Sequence, residues 1–299
     1  MRNKPSIILF SIICLMLSTS CGKDDSPKTS HPDQGAVTLA FDWTAIDIGT
    51  DKPENFTVQL RGTQNVSAQI NTAAPVLPLL LPGTYSALMY NAPEGFSITT
   101  DDVKAKATQA AAGIFQKFTA TVRKAAAGNT LLPTPGGLFA GATDFSVNAD
   151  DSVRTAISVE QQTRHLTLRL TVTEGEPGRI ASVQGTLSGV AGSIRLASRE
   201  LSEEASVAPA FTRNGAEITA PLNLLGVMGT QKLVLLLTYA DGRTQAIESD
   251  LTEQLAAFND HKQTALEVSG SLKTPTASGM DVATITDWEV AEKEDITIH

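Results

Sequence analysis

The residues able to do chemistry are few and far apart in the chain. Of its 299 residues only two are cysteines, Cys14 and Cys21, both at the N-terminal end. The body therefore has no thiol for a disulfide, a nucleophile or a thiolate metal cage. The four histidines, His31, His165, His261 and His299, form no His-Glu-x-x-His pair. A Gly-x-Ser-x-Gly elbow, a Gly-x-Gly-x-x-Gly turn and a Walker loop are also missing from the sequence. His31 falls in a polar stretch where a solvated side chain is the plain reading. His165 opens an apolar stripe, where a solvated or hydrogen-bonded histidine is far commoner than a ligand, and His261 could favour the C-terminal end of a helix before it. Asp144, Ser146, Asn148, Asp150 and Ser152 alternate somewhat as calcium-loop ligands do. Ala149 stands where the turning glycine belongs, however, and Thr155 where the bidentate glutamate belongs, so a polar connection is the better reading. No catalytic, cofactor-binding or metal-binding set emerges, and the chain is expected not to be an enzyme.

The first residues carry a different chemistry. Arg2 and Lys4 precede an apolar run over residues 7–17, too short to span a bilayer as a helix, so residues 1–20 read as a signal segment. The small residues Ser18, Thr19 and Ser20 leading into Cys21 resemble the lipobox of bacterial lipoproteins. There the cysteine is acylated and becomes the new N-terminus, and acyl chains on Cys21 would supply the membrane anchor that the rest of the chain lacks. An ordinary secretory signal with an incidental cysteine is the alternative. Gly22-Lys23-Asp24-Asp25 resembles the signal that sends Bacteroidetes lipoproteins to the outer face of the outer membrane. Asp151-Ser152-Val153 resembles the Asp-Ser/Thr-aliphatic O-glycosylation site of the same bacteria, which makes Ser152 a candidate for that modification.

The elements that must position these residues read as strands. Aromatics are 5 % and charged residues 18 % of the chain, and the abundant Thr, Ser, Ala and Val suit many short strands better than helical bundles. A formal net charge of −9 argues against nucleic acid or an anionic membrane surface as a partner. Residues 21–35, with Pro27 and Pro32, read as a polar tether. Beyond it Val37, Leu39, Phe41 and Trp43 alternate with smaller or polar residues, the period of a half-buried strand. Phe56, Val58 and Leu60, then Val66, Ala68 and Ile70, repeat the pattern around a hairpin connection at residues 61–65. Leu79 to Leu81, Pro82-Gly83 and Tyr85 to Tyr90 read as strand, turn, strand. Residues 101–112 are Ala-rich and could be a helix or a loop. Pro133, Pro135, Gly136 and Gly137 interrupt regular structure, and the polar run 148–151 is a natural boundary.

After it, Leu166, Leu168, Leu170 and Val172 alternate, residues 233–239 look like a central strand buried on both faces, and Leu266, Val268, Leu272 and residues 282–290 close the series. Asp250 with Glu253 resembles a capping box, and Leu251, Leu255 and Phe258 share one face, which predicts a short helix. Trp43 and Trp288 each fall on the apolar phase of a strand, so core packing is favoured over a sugar platform. The expected architecture is all-β: an N-terminal β-sandwich domain over 36–150 and a C-terminal one over 151–299, with minor helical insertions.

Three stretches carry a family resemblance: Leu81-Pro82-Gly83-Thr84-Tyr85 leading to Tyr90-Asn91, Arg179-Ile180 through Leu187-Ser188-Gly189-Val190-Ala191, and Ile285-Thr286-Asp287-Trp288. They resemble fimbrillin-type lipoproteins of Bacteroidales, in the minor or anchor subunit branch of type V pili. The resemblance implies two tandem transthyretin-like antiparallel sandwiches and a lipid-anchored minor fimbrial subunit that attaches or assembles a fimbria at the outer membrane. It implies other fimbrial subunits as partners through β-strand addition, the outer membrane as a partner through Cys21, and no cofactor and no nucleic acid. Polymerising members of the family are cut by an arginine-directed protease near the N-terminus; here the first Arg after Cys21 is Arg61, inside the predicted hairpin. That favours an uncleaved, still-lipidated subunit, with residues 281–299 as a natural donor strand. The alternative is a monomeric cell-surface lipoprotein that binds glycan or host protein.

Overall fold

The computed structural model describes residues 28–46, 50–99, 119–122, 131–132, 134–276 and 282–293. The first strands are β1 (Ala36–Asp42), β2 (Asn55–Gly62), β3 (Val66–Asn71), β4 (Gly83–Tyr90), β5 (Phe96–Thr99), β6 (Thr119–Val122), β7 (Leu131–Leu132), β8 (Phe139–Val147), β9 (Ser152–Ser158) and β10 (Glu160–Gln161). They are followed by β11 (Arg164–Glu174), a 3-10 turn (Pro177–Arg179), β12 (Ile180–Arg195), β13 (Leu201–Val207), β14 (Thr212–Asn214), β15 (Glu217–Leu224), β16 (Lys232–Tyr239), β17 (Thr244–Asp250), β18 (Ala265–Lys273) and β19 (Thr284–Lys293). The fold is all-β, as the period-two alternation demands.

In the first sandwich a sheet of order β10-β8-β4-β2-β3 faces the parallel pair β1-β9. Phe56, Val58, Leu60, Tyr85, Met89, Phe139 and Ile157 meet Val37 and Leu39 in its core. In the second, a sheet of order β14-β15-β11-β18-β19 packs on a sheet of order β17-β16-β12-β13-β7. Pairing is mostly antiparallel, but β1-β9, β11-β18 and β13-β7 run parallel. Parallel partners need long crossovers, so no local pattern announces them.

The division between the cores falls later than the polar run at 148–151. That run is a turn inside the first sandwich: β9 follows it and pairs with β1, and Ile157 and Val159 belong to the first core. The segment containing β5 to β7 crosses the other way, with β6 pairing with β12 and β7 with β13. A third cluster fills the junction, where Leu88, Tyr90, Phe96 and Leu138 meet Ala191, Ile194, Leu196 and Leu225.

Two sequence expectations are corrected. Strand β16 is buried on one face only: Leu233, Leu235 and Leu237 point inward, whereas Val234 and Leu236 are 40 % and 38 % exposed. The segment after Asp250 is a chain of turns, not a helix. Asp250 does accept the amide of Thr252, but only Leu255 bonds four residues back, to Leu251, and the next bonds reach three residues. Tertiary groups take over the helix acceptors: Arg164 holds the carbonyls of Ala257 and Phe258, and the Asn259 amide bonds Val227 in both directions. Leu251, Leu255 and Phe258 are all buried, so the apolar face was correctly read although the element was not. The Ala-rich segment 101–112 lies outside the described residues.

Candidate functional site

The most distinctive site is the groove that holds β1. Val37 and Leu39 alternate with outward-facing Thr38 and Ala40, and the two buried side chains are 0 % and 1 % exposed. Burial of such side chains stabilises by about 1.5–3 kcal/mol each. On one edge β1 pairs with β9 from Ala36↔Ser152 to Asp42↔Ser158. On the other it meets the 75–80 segment, through Leu39 N–H to Pro75 O at 2.8 Å, Leu77 N–H to Val37 O at 2.9 Å and reciprocal bonds between Gly35 and Leu80. Both backbone edges of the N-terminal strand are thus satisfied within the chain. Phe41, Trp43 and Phe56 stack at its end, with ring centroids 5.6–6.0 Å apart, and Lys52 Nζ lies 5.3 Å from the Trp43 ring. Trp43 is therefore core-packed and not a free platform.

The segment before β1 is fastened as well. Asp150, at φ +53, accepts the amides of Lys28 and Thr29, and these bonds hold its carboxyl below the usual carboxylate range. Asp144 accepts the Ser86 hydroxyl. The acids that alternate through 144–150 thus hold backbone and side-chain donors in place. Ser152 is exposed at the head of β9. Arg61 lies within β2, in register with Ser86, so it is part of a ladder and not of a linker. Cys21 and His299 are outside the described residues. His31 and His261 are exposed, and His165 bonds Asn223 and Thr167 through its two ring nitrogens at 3.2 and 3.3 Å. Among the described residues no three His, Cys, Asp or Glu side chains group to hold a metal ion, and no helix is long and apolar enough to cross a membrane.

The three stretches that carried the resemblance each mark an unusual piece of backbone. At Gly83, φ +148, a Cβ would lie 1.8 Å from Thr63 Oγ1, and Tyr85 two residues on donates its hydroxyl to Leu81 O at 2.8 Å. At Gly189, φ +69, a Cβ would lie 2.4 Å from Thr230 O. Asp287 has φ +54 at a register shift in the β18-β19 ladder, a bulge that seats Trp288 over Gly270. β19 is thereby docked in its own sheet, with Trp288 against the second core.

Sequence reading missed Arg164 and Lys262. Arg164, 0 % exposed, donates to Thr264 O at 2.6 Å, to Ala257 O and Phe258 O at 3.0 and 2.9 Å, and to Glu292 at 2.9 Å. Lys262 Nζ donates to Leu225 O at 2.7 Å and Gln162 O at 3.2 Å, and burial pushes its ammonium down to about 8. Both tie loops to strands, and only their partners, distant in sequence, reveal it.

Fold and site together define an all-strand protein built of tandem β-sandwiches. Residues 47–294 match the family of fimbrillin-A associated anchor proteins Mfa1 and Mfa2, and the chain belongs to that family. Among solved structures it is similar to the fimbrial anchor protein Mfa2 from Porphyromonas gingivalis, at 13 % identity and a TM-score of 0.56 over 86 % of this chain and 97 % of that one. A candidate adhesin from Bacteroides ovatus matches at 14 % identity and a TM-score of 0.59, over 80 % and 89 %. A candidate adhesin from Bacteroides thetaiotaomicron matches at 13 % and 0.54, over 82 % and 93 %. No curated protein matches the sequence. The family is one of fimbrial, adhesin-type surface proteins.

Proposed function

We propose that this chain is a lipid-anchored minor fimbrial subunit, which holds a type V-like fimbria at the outer membrane through Cys21 and contacts its neighbour by strand addition. The observation that carries the reading is the seating of the N-terminal strand. β1 fills its own groove with Val37 and Leu39, is hydrogen-bonded on both edges, and has no Arg between Cys21 and its first residue. A polymerising subunit must vacate such a groove to admit a neighbour's strand. A subunit that keeps it occupied ends a fibre and stays joined to whatever precedes β1.

The test is Cys21→Ala in cells that assemble the fibre. The variant should be released from the membrane fraction, and fibres should appear in the medium at least tenfold above the parent. Fibres that stay on the cells while the variant is released would overturn the anchoring role. Ser152 is offered as an O-glycan acceptor on its exposure, and Ser152→Ala should abolish a glycan mass shift on the mature protein.

A further inference from the structure

Strand β12 is sixteen residues long, and its two edges are used unequally. One edge is covered along its length: by β16 opposite residues 180–187, by Gly226 and Met228 opposite 191 and 189, and by β6 opposite 193–195. The other edge pairs with β13 only from Leu187 onward. Among the described residues no strand and no backbone hydrogen bond covers that edge between Ala181 and Thr186. Here the chain leaves β13 through Ala208, Pro209, Ala210 and Phe211 to enter β14 in the opposite sheet. A groove of about 550 Å³ remains between that crossing and β12, with Val183, Phe211, Val234 and Leu236 supplying its apolar lining.

Other edges are guarded. β17 carries Glu248 and Asp250, β14 is three residues long with Arg213, and β19 is kinked at Asp287 and carries Glu289 and Glu292. The open part of β12 has no charge and no proline. Edge strand β3 is also uncharged, but none of its residues lines this groove.

We propose that the open edge of β12 at residues 181–186, with the apolar groove beside it, receives an extended strand of a fimbrial subunit. The occupant is set by the chemistry of the edge. Unpaired amides and carbonyls at strand spacing match a polypeptide backbone, and about six residues is the length of an ordinary strand. On the outer face the incoming strand lies beside Gln184 and Thr186, with Val234 and Leu236 beyond them on β16, so long apolar side chains that reach into the groove are called for, and the lack of charge on the edge calls for a neutral strand. The assignment rests on the fimbrial reading above and names where that contact is made on a face remote from the occupied groove of β1.

A photo-crosslinking residue at Gln184, which is exposed on this edge, tests it in the full-length, lipidated protein on fibre-bearing cells, with the same residue at Gln69 on β3 as the control. Crosslinks from position 184 to a strand segment of a fimbrial subunit, at least tenfold above those from position 69, are expected. In a companion variant, Val234→Lys with Leu236→Lys, the protein should stay folded and membrane-bound but lose at least tenfold of its retained fibre. No crosslink at 184, equal crosslinks at 184 and 69, or undiminished fibre retention in the folded double variant overturns the assignment. Failure of Cys21→Ala to shed fibres would overturn the anchor reading instead, and the crosslink at 184 would still decide the edge.

Discussion

At the residue scale, the buried Arg164 and the half-buried Lys262 explain more of the second sandwich than any motif does. Arg164 satisfies three backbone carbonyls that the failed helix at 251–258 and its neighbouring loop would otherwise leave bare. Arg164→Met keeps the volume but strands those acceptors, and it should lower unfolding stability by about 3–5 kcal/mol in urea titrations. Lys262 gives a pH signature. Its folded-state pKa lies near 8, below the ordinary lysine value, so between about pH 8 and 10 the unfolded chain binds more protons and stability rises with pH. The carbonyls of Gln162 and Leu225 favour the charged form and shrink the effect, which should be on the order of 1–2 kcal/mol. Relative to Lys262→Gln, the parent's thermal midpoint should climb over that window; parallel midpoints would refute it. Neither cation was legible in the sequence, because an inward-turned Arg or Lys is recognised by what it touches, and its partners lie about 40–130 positions away. The solvated or bonded histidine at 165 was legible, since its place on the outward phase of a strand needs no tertiary knowledge.

At the element scale, alternation located β1, β2, β3, β11 and β18, because period two follows from the pleat alone, and the Pro82-Gly83 turn located β4. What it could not supply was the far side of each strand. Residues 233–239 are nearly all apolar and read as buried twice over, yet Val234 and Leu236 face the groove beside β12. Asp250 accepted the Thr252 amide, and the helix was still lost to tertiary partners such as Arg164, which takes the carbonyls of Ala257 and Phe258. Residues 281–299 read as a free donor, whereas β19 completes its own sheet, so deleting them would unmake a fold as well as a contact. The seating of that strand is testable at Gly270. A Cβ there would lie 2.8 Å from the Trp288 ring, so Gly270→Val should cost about 1–3 kcal/mol and red-shift Trp288 fluorescence as the ring is pushed off the core. In β1, Leu39→Ala should cost about 2–5 kcal/mol, with loss of protection first at the amides of β1 and the 75–80 segment.

At the scale of the whole molecule, a tandem of independent domains is the expectation that composition supports, and the strand pairing argues for tighter union. β6 and β7, which precede β8 of the first sandwich, are laid into the sheet of the second, and Ile194 sits fully buried where they meet. Leu88, Tyr90 and Leu138 from the first half close the same cluster with Leu196 and Leu225 from the second. On the anchoring role proposed above, tension passes through this junction, and an apolar core shared by both bodies resists it better than a polar linker does. Calorimetry should therefore show one cooperative transition for the full chain, with its calorimetric and van't Hoff enthalpies in agreement. Ile194→Ala removes buried methyl groups from the shared cluster, and should lower that single midpoint by the equivalent of about 2–5 kcal/mol for both sandwiches together. Two resolved transitions in the parent, or a variant in which only one half of the amide-exchange map loses protection, would show that the bodies unfold separately and that the junction carries no cooperative load.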